Sequence, residues 1–111
     1  MLFFWRNLAV INGVQFELDK VADLCRRYHV RRLAAFGSML RSDFEPGRSD
    51  FDLVVEFEPE PAAIRLQNYL KLRDELACLF SRPVDLIEEG AIRNPYIIQR
   101  VKDEQQLLYA A

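Results

Sequence analysis

The seven residues from Phe51 to Phe57 constrain this chain's fold more than any other segment. Phe51, Leu53, Val55 and Phe57 alternate with Asp52, Val54 and Glu56. Residues two apart in a strand share a face, so this period predicts a strand with one apolar face on a core. The opposite face then carries acid, and Asp50 falls on it beside Asp52. Pro83-Val84-Asp85-Leu86 repeats the pattern: Val84 and Leu86 take the core side and leave Asp85 on the other. A strand interior disfavours Asp, so one flanked by Val and Leu needs a physical reason. If the two strands are neighbours, Asp50, Asp52 and Asp85 converge on one patch.

The other segments arrange themselves around this pair. Phe16 to His29 reads as a helix, with Leu18, Val21, Ala22 and Cys25 at three- and four-residue spacing. Arg32 to Phe36 reads as a short strand stopped by Gly37. Met39 to Phe44 fits one or two helical turns, and Glu45-Pro46-Gly47-Arg48 is loop punctuation. Ala62 to Phe80 reads as a long helix, with Leu66, Leu70, Ala77 and Phe80 on one stripe and Leu72, Leu76 and Leu79 beside it. Asn94-Pro95 combines an N-cap with proline at the first helical position, and the helix runs to about Asp103. Gln106 to Tyr109 reads as a last strand. The expected fold class is α/β (α+β): a small mixed β-sheet with helices packed on it, formed by residues 16–111 as a single domain. Residues 1–15 are an apolar extension, and a strand, a partner-binding tail and an upstream start all fit it. Its Phe3-Phe4-Trp5 is expected to be covered by the domain or by another chain.

Two adjacent carboxylates repel each other, and a divalent cation removes that repulsion. Mg²⁺ prefers oxygen and is held by one or two carboxylates together with phosphate oxygens. Gly37-Ser38 supplies a place for such phosphates: Gly lets the backbone approach a ligand, and Ser38 adds a hydroxyl. Arg41, one turn on, has the fork that pairs with phosphate or carboxylate. Taken singly, Gly-Ser is a turn, Asp-x-Asp a solvated edge, Arg41 a surface ion-pair residue and Asp85 a strand-end residue. Taken together, their order and spacing are hard to explain as core packing.

Composition narrows the partners. The 111 residues are 50% apolar and 29% charged, with a formal net charge of −2. The densest basic run, Arg26-Arg27-Tyr28-His29-Val30-Arg31-Arg32, reads as a solvated helix end, so no extended nucleic-acid surface is expected. Cys25 and Cys78 are read as reduced core residues of a cytoplasmic protein. The apolar start is too short to span a membrane, and no signal-peptide cleavage pattern follows it. His29 is read as a helix-end cap, and Tyr96 and Tyr109 as packing residues.

Gly37-Ser38 followed by Ser49-Asp50-Phe51-Asp52-Leu53-Val54-Val55 resembles the signature of the DNA polymerase β-like nucleotidyltransferase superfamily. The short length, Arg41 and the ending Leu107-Leu108-Tyr109 are similar to the minimal nucleotidyltransferases (MNT), commonly the antitoxin half of HEPN/MNT toxin–antitoxin pairs. One departure is Ser42, where family members often carry Gly. The resemblance implies that Gly37, Ser38, Arg41 and Ser49 bind the nucleotide. It makes Asp50, Asp52 and Asp85 the catalytic, metal-binding set, holding two Mg²⁺ ions. It further implies transfer of AMP from ATP to a hydroxyl of a HEPN-type toxin. Two other readings accompany it: a non-catalytic antitoxin that neutralises its toxin by binding, and a small-molecule nucleotidyltransferase, which the length disfavours. A homo-oligomer is left open.

Overall fold

The computed structural model describes residues 2–5, 8–40 and 50–111. A short three-stranded antiparallel sheet comes first, made of β1 (Leu2–Trp5), β2 (Leu8–Ile11) and β3 (Val14–Glu17) in that order. The β2–β3 turn is Asn12-Gly13, with φ of 48° and 80°. A two-residue hairpin loop of this hand requires positive φ at both central positions, and Asn-Gly supplies it at the least cost. The hairpin pairs Ile11 with Val14, so Ala9, Ile11, Val14 and Phe16 are all buried. Phe16 is therefore a strand residue. The helical spacing expected from Phe16 begins only at Leu18, where α1 (Leu18–Arg27) starts. A boundary drawn at residue 16 also falls inside β3, and Ala9 and Ile11 belong to the same buried cluster as the residues that follow.

The larger sheet has the order β6-β5-β4-β7. It comprises β4 (Val30–Ala35), β5 (Phe51–Phe57), β6 (Val84–Glu88) and β7 (Gln106–Ala110). β4 is antiparallel to β5 and β7, while β5 and β6 are parallel and joined through α2 (Ala62–Phe80). A parallel pair needs such a crossover, because a tight turn cannot reverse the chain twice.

One face of this sheet carries Leu33, Ala35, Phe51, Leu53, Val55 and Leu86. It packs against Val21 and Cys25 of α1, Leu72, Leu76 and Phe80 of α2, and the hairpin. Phe80 meets Phe16 edge-on at 4.9 Å and Phe51 at 4.5 Å, contacts worth about 0.5–1.5 kcal/mol beyond their burial. The Tyr69 hydroxyl donates to the Leu86 carbonyl at 2.6 Å and ties α2 to β6. The opposite face carries Ala34, Phe36 and Val54. It is covered by Val101 and Ile97 of α3 (Pro95–Asp103) and by Ile92. Asn94 caps α3 by accepting from the Tyr96 amide at 2.9 Å, as the Asn-Pro pair predicts.

Helix α2 turns a different side to the core than its sequence suggests. Leu72, Leu76 and Phe80 are buried at four-residue spacing, whereas Ile64, Leu66 and Leu70 are exposed. A helix apolar nearly all round leaves its azimuth to tertiary packing. Cys78 is exposed as a consequence, contrary to the expectation of two core thiols, while Cys25 is buried and its thiol is pushed up to about 12 by desolvation. A thiol reagent such as DTNB at pH 8 is expected to titrate Cys78 quickly and Cys25 only on denaturation. Equal rates for the two would contradict this packing. Tyr96, expected to pack, is 81% exposed.

The basic run is consumed locally. Arg26 pairs with Asp23, Arg27 with Glu75, and Arg31 with Glu56 and Glu58. His29 sits at φ 62° just past α1, and its Nδ1 lies 2.8 Å from Glu60 Oε2. That contact, with help from Asn68, holds the Glu60 carboxyl below the usual range. No helix among the described residues is long and apolar enough to cross a membrane.

Candidate active site

Strand parity places the acids as the alternation requires. Phe51, Leu53 and Leu86 are buried in the main core, and Asp52 and Asp85 point to the α3 side. The ladder pairs Asp52 directly with Asp85, Phe51 with Val84 and Leu53 with Leu86. Neighbouring strands lie about 4.8 Å apart, so two carboxylates at matching positions share one small space. Asp52 is half-buried and Asp85 is exposed.

Gly37 closes the third side. After Ala35 the chain leaves β4, and the Phe36 amide donates to the Asp52 carbonyl at 3.0 Å. Gly37 then adopts φ 71° and opens a 3-10 turn over Gly37–Leu40. A Cβ at Gly37 would stand 2.7 Å from Asp52 Oδ2, closer than side chains tolerate. The glycine is therefore required twice, for its left-handed backbone and for its missing side chain. Its main chain rests on the carboxylate that the sequence singled out.

The resulting cleft has a volume of about 170 Å³. Gly37, Asp52 and Asp85 form one side of it, and Phe36, Ile87, Ile97 and Arg100 complete the wall. Small-molecule pockets span roughly 300–1,000 Å³, so the described cleft suits the phosphate end of a nucleotide rather than the whole molecule. A hollow of about 430 Å³ beside α2, walled by Leu66, Tyr69, Ile87 and Glu88 among others, is mostly apolar and contains neither acid.

Asp50 stands apart. It precedes the first ladder pair of β5, is exposed, and is not part of the cleft wall. Among the described residues, no three potential metal ligands are grouped together. Asp52 and Asp85 supply the hard oxygen donors Mg²⁺ takes, and the missing side chain of Gly37 lets its turn come close to the Asp52 carboxylate. The donor set fits the ion. Ser38 contributes its backbone to the 3-10 turn, while its side chain, and all of Arg41, Ser42 and Ser49, lie outside the described residues.

Arg100 and the α3 wall were not anticipated. Ile97 and Val101 lie one helical turn apart with apolar side chains, and helical geometry makes Arg100 a neighbour of Ile97 three residues earlier. That spacing was the available signal.

Comparison with known proteins identifies the family. Residues 18–108 match the family model described as a nucleotidyltransferase domain. A Methanocaldococcus jannaschii protein, provisionally named a protein adenylyltransferase, is 37% identical over 104 residues, covering 94% of this chain and 98% of that one. A solved structure, provisionally described as a minimal nucleotidyltransferase, superposes with a TM-score of 0.66 at 29% identity, over 80% of this chain and 86% of the other. An MNT antitoxin complex with a tri-AMPylated HEPN toxin from Shewanella oneidensis shares the fold, with a TM-score of 0.52 at 21% identity over 85% and 70% of the two chains. The family match spans most of the chain, from α1 to β7, and takes in the glycine turn and the paired aspartates: this protein belongs to the nucleotidyltransferase domain family.

Proposed function

We propose that this protein transfers AMP from ATP, in a Mg²⁺-dependent reaction, to a hydroxyl group of a partner protein, and that the partner is a HEPN-type toxin which the transfer neutralises. The observation that carries the reading is the in-register pair Asp52–Asp85 beneath the Gly37 turn. The naming of the relatives as protein adenylyltransferases supports a protein acceptor, and the AMPylated toxin complex supports its class.

In this reading Asp52 and Asp85 would hold the metal, with Asp50 as the further carboxylate of the set. Mg²⁺ held there would supply positive charge to the attacking and leaving oxygens of an in-line displacement. The main chain at Gly37-Ser38, with Ser49 and Arg41, holds the nucleotide. Asp85, the most open of the cleft acids, takes the proton from the attacking hydroxyl. The chain's contribution is positioning and charge neutralisation, with no covalent intermediate.

Incubation with α-³²P-ATP, Mg²⁺ and a co-encoded small helical protein is expected to label that protein, and EDTA is expected to abolish the label. Absence of transfer, with an Asp52→Asn variant that neutralises the partner as well as the wild type, would sink the catalytic reading. It would leave an antitoxin acting by binding alone. The exposed Leu66 and Leu70, one turn apart on α2, favour that second reading, since neighbouring exposed apolar residues suit a protein contact.

A further inference from the structure

We propose that Arg100 is the polyphosphate-binding cation of this site, its guanidinium engaging the β- and γ-phosphates of the bound nucleotide. The inference rests on the nucleotidyl-transfer reading and adds a residue to it that lies outside the Gly-Ser and Asp-x-Asp signature.

The position of Arg100 is set by packing rather than by chance exposure. The Asn94 cap and Pro95 fix where α3 starts. Ile97 and Val101 are seated against Phe36, Val54 and Ala34, which fixes the helix azimuth. Arg100 flanks Ile97 on the next turn and lines the cleft together with Gly37 and the two aspartates. Among the described residues it is the cation of a cleft wall that otherwise offers two carboxylates and apolar groups.

That juxtaposition has an electrostatic logic. Carboxylates that gather a metal also repel the polyphosphate the metal must meet, so the site needs protein cations as well. Arginine presents a planar fork that grips two phosphate oxygens at once. The volume of about 170 Å³ suits that end of the nucleotide. Five arginines among the described residues are committed to ion pairs elsewhere: Arg26, Arg27, Arg31, Arg65 and Arg73. Complementing the α3 dipole does not require Arg100 either. Lys102 in the same last turn does that, and it faces a separate hollow with Glu89, Ile92 and Ile98.

During transfer the acceptor oxygen bonds to the α-phosphorus. The bond from that phosphorus to the bridging oxygen breaks, and its electron pair leaves with pyrophosphate. The acceptor's proton passes to Asp85. Arg100 meets the charge that grows on the departing pyrophosphate.

The test is calorimetric titration of the full chain with ATP, AMP and pyrophosphate in the presence of Mg²⁺, with the fold checked by circular dichroism. Arg100→Gln is expected to weaken ATP and pyrophosphate binding at least about tenfold, the scale of a lost charge-assisted contact, while AMP binding stays within about twofold. Arg100→Lys is expected to recover part of the loss, and Lys102→Gln to bind all three ligands as the wild type does. Equal weakening of ATP and AMP in Arg100→Gln would assign Arg100 a packing role and overturn the proposal, as would unchanged ATP binding. A folded wild-type protein that binds no ATP would overturn the transfer reading itself, and Arg100 with it.

Discussion

Replacing Asp52 with Asn is expected to abolish AMP transfer while leaving the protein folded. Asp52 is the acid most tightly built into the site: half-buried, opposite Asp85 in the ladder, and beneath the Gly37 main chain. Asn keeps the shape but gives up the charge that holds a hard cation. Loss of groups that only support a metal ligand already costs 10–100-fold, so loss of the ligand itself is expected to exceed about 100-fold. Asp85→Asn is expected to do the same to transfer and to leave the thermal midpoint unchanged or raised, because like charges opposite each other on neighbouring strands destabilise a sheet by about 0.2–1 kcal/mol. Initial rates with labelled ATP and thermal melts of the two variants check both halves. An Asp52→Asn protein retaining more than a tenth of wild-type transfer would remove this carboxylate from the mechanism.

Gly37→Ala is expected to be costly twice over. The φ of 71° costs an L-residue about 1–2 kcal/mol by backbone sterics alone. The new Cβ would also press to 2.7 Å from Asp52 Oδ2, so either the turn or the carboxylate must shift. A misplacement on the order of 1 Å at a reacting centre costs about 10²-fold in rate. Urea denaturation is expected to show the stability loss, and transfer assays a drop on that scale in the remaining folded protein. Ala at Gly13 is the comparison. Gly13 also has positive φ, but nothing lies within 4 Å of its Cβ position, so its variant is expected to lose stability without losing transfer. If Gly37→Ala keeps wild-type transfer, the close approach of the turn to the acid plays no part in catalysis.

The parts of the site that could be read in advance were those set by local pattern. Phe51 to Phe57 alternates strictly, and burial of one face follows from it, so Asp52 and Asp85 had to lie on the other. The Asn94-Pro95 start of α3 was equally plain, because its cap is made by adjacent residues. What was not legible depends on contacts between distant segments. Asn12-Gly13 signals a hairpin, but apolar spacing from Phe16 onward suits a helix just as well, and only the pairing of β3 with β2 decides the matter. Apolar residues all round α2 hid which side meets the sheet, and this misplaced Leu66, Leu70 and Cys78 together. Arg100 carries no local signal of its own, and only the packing of α3 across the acid face places it at the cleft. Asp50 matched the parity of Asp52, yet it stands ahead of the ladder, where no neighbouring strand holds it.

The parallel register of β5 and β6 couples inheritance of the site to survival of the fold. A slip of one residue between them would bury Asp85 and expel Leu86, which the core penalises at once. The apolar residues therefore act as a proofreader for the alignment of two acids that lie far apart in the chain. They check alignment but not identity: a lineage can exchange either acid for a neutral residue without disturbing anything the core inspects. Descendants of such a chain can fall silent as catalysts while keeping every contact that makes them fold, and the shape would outlast the chemistry for which it was aligned.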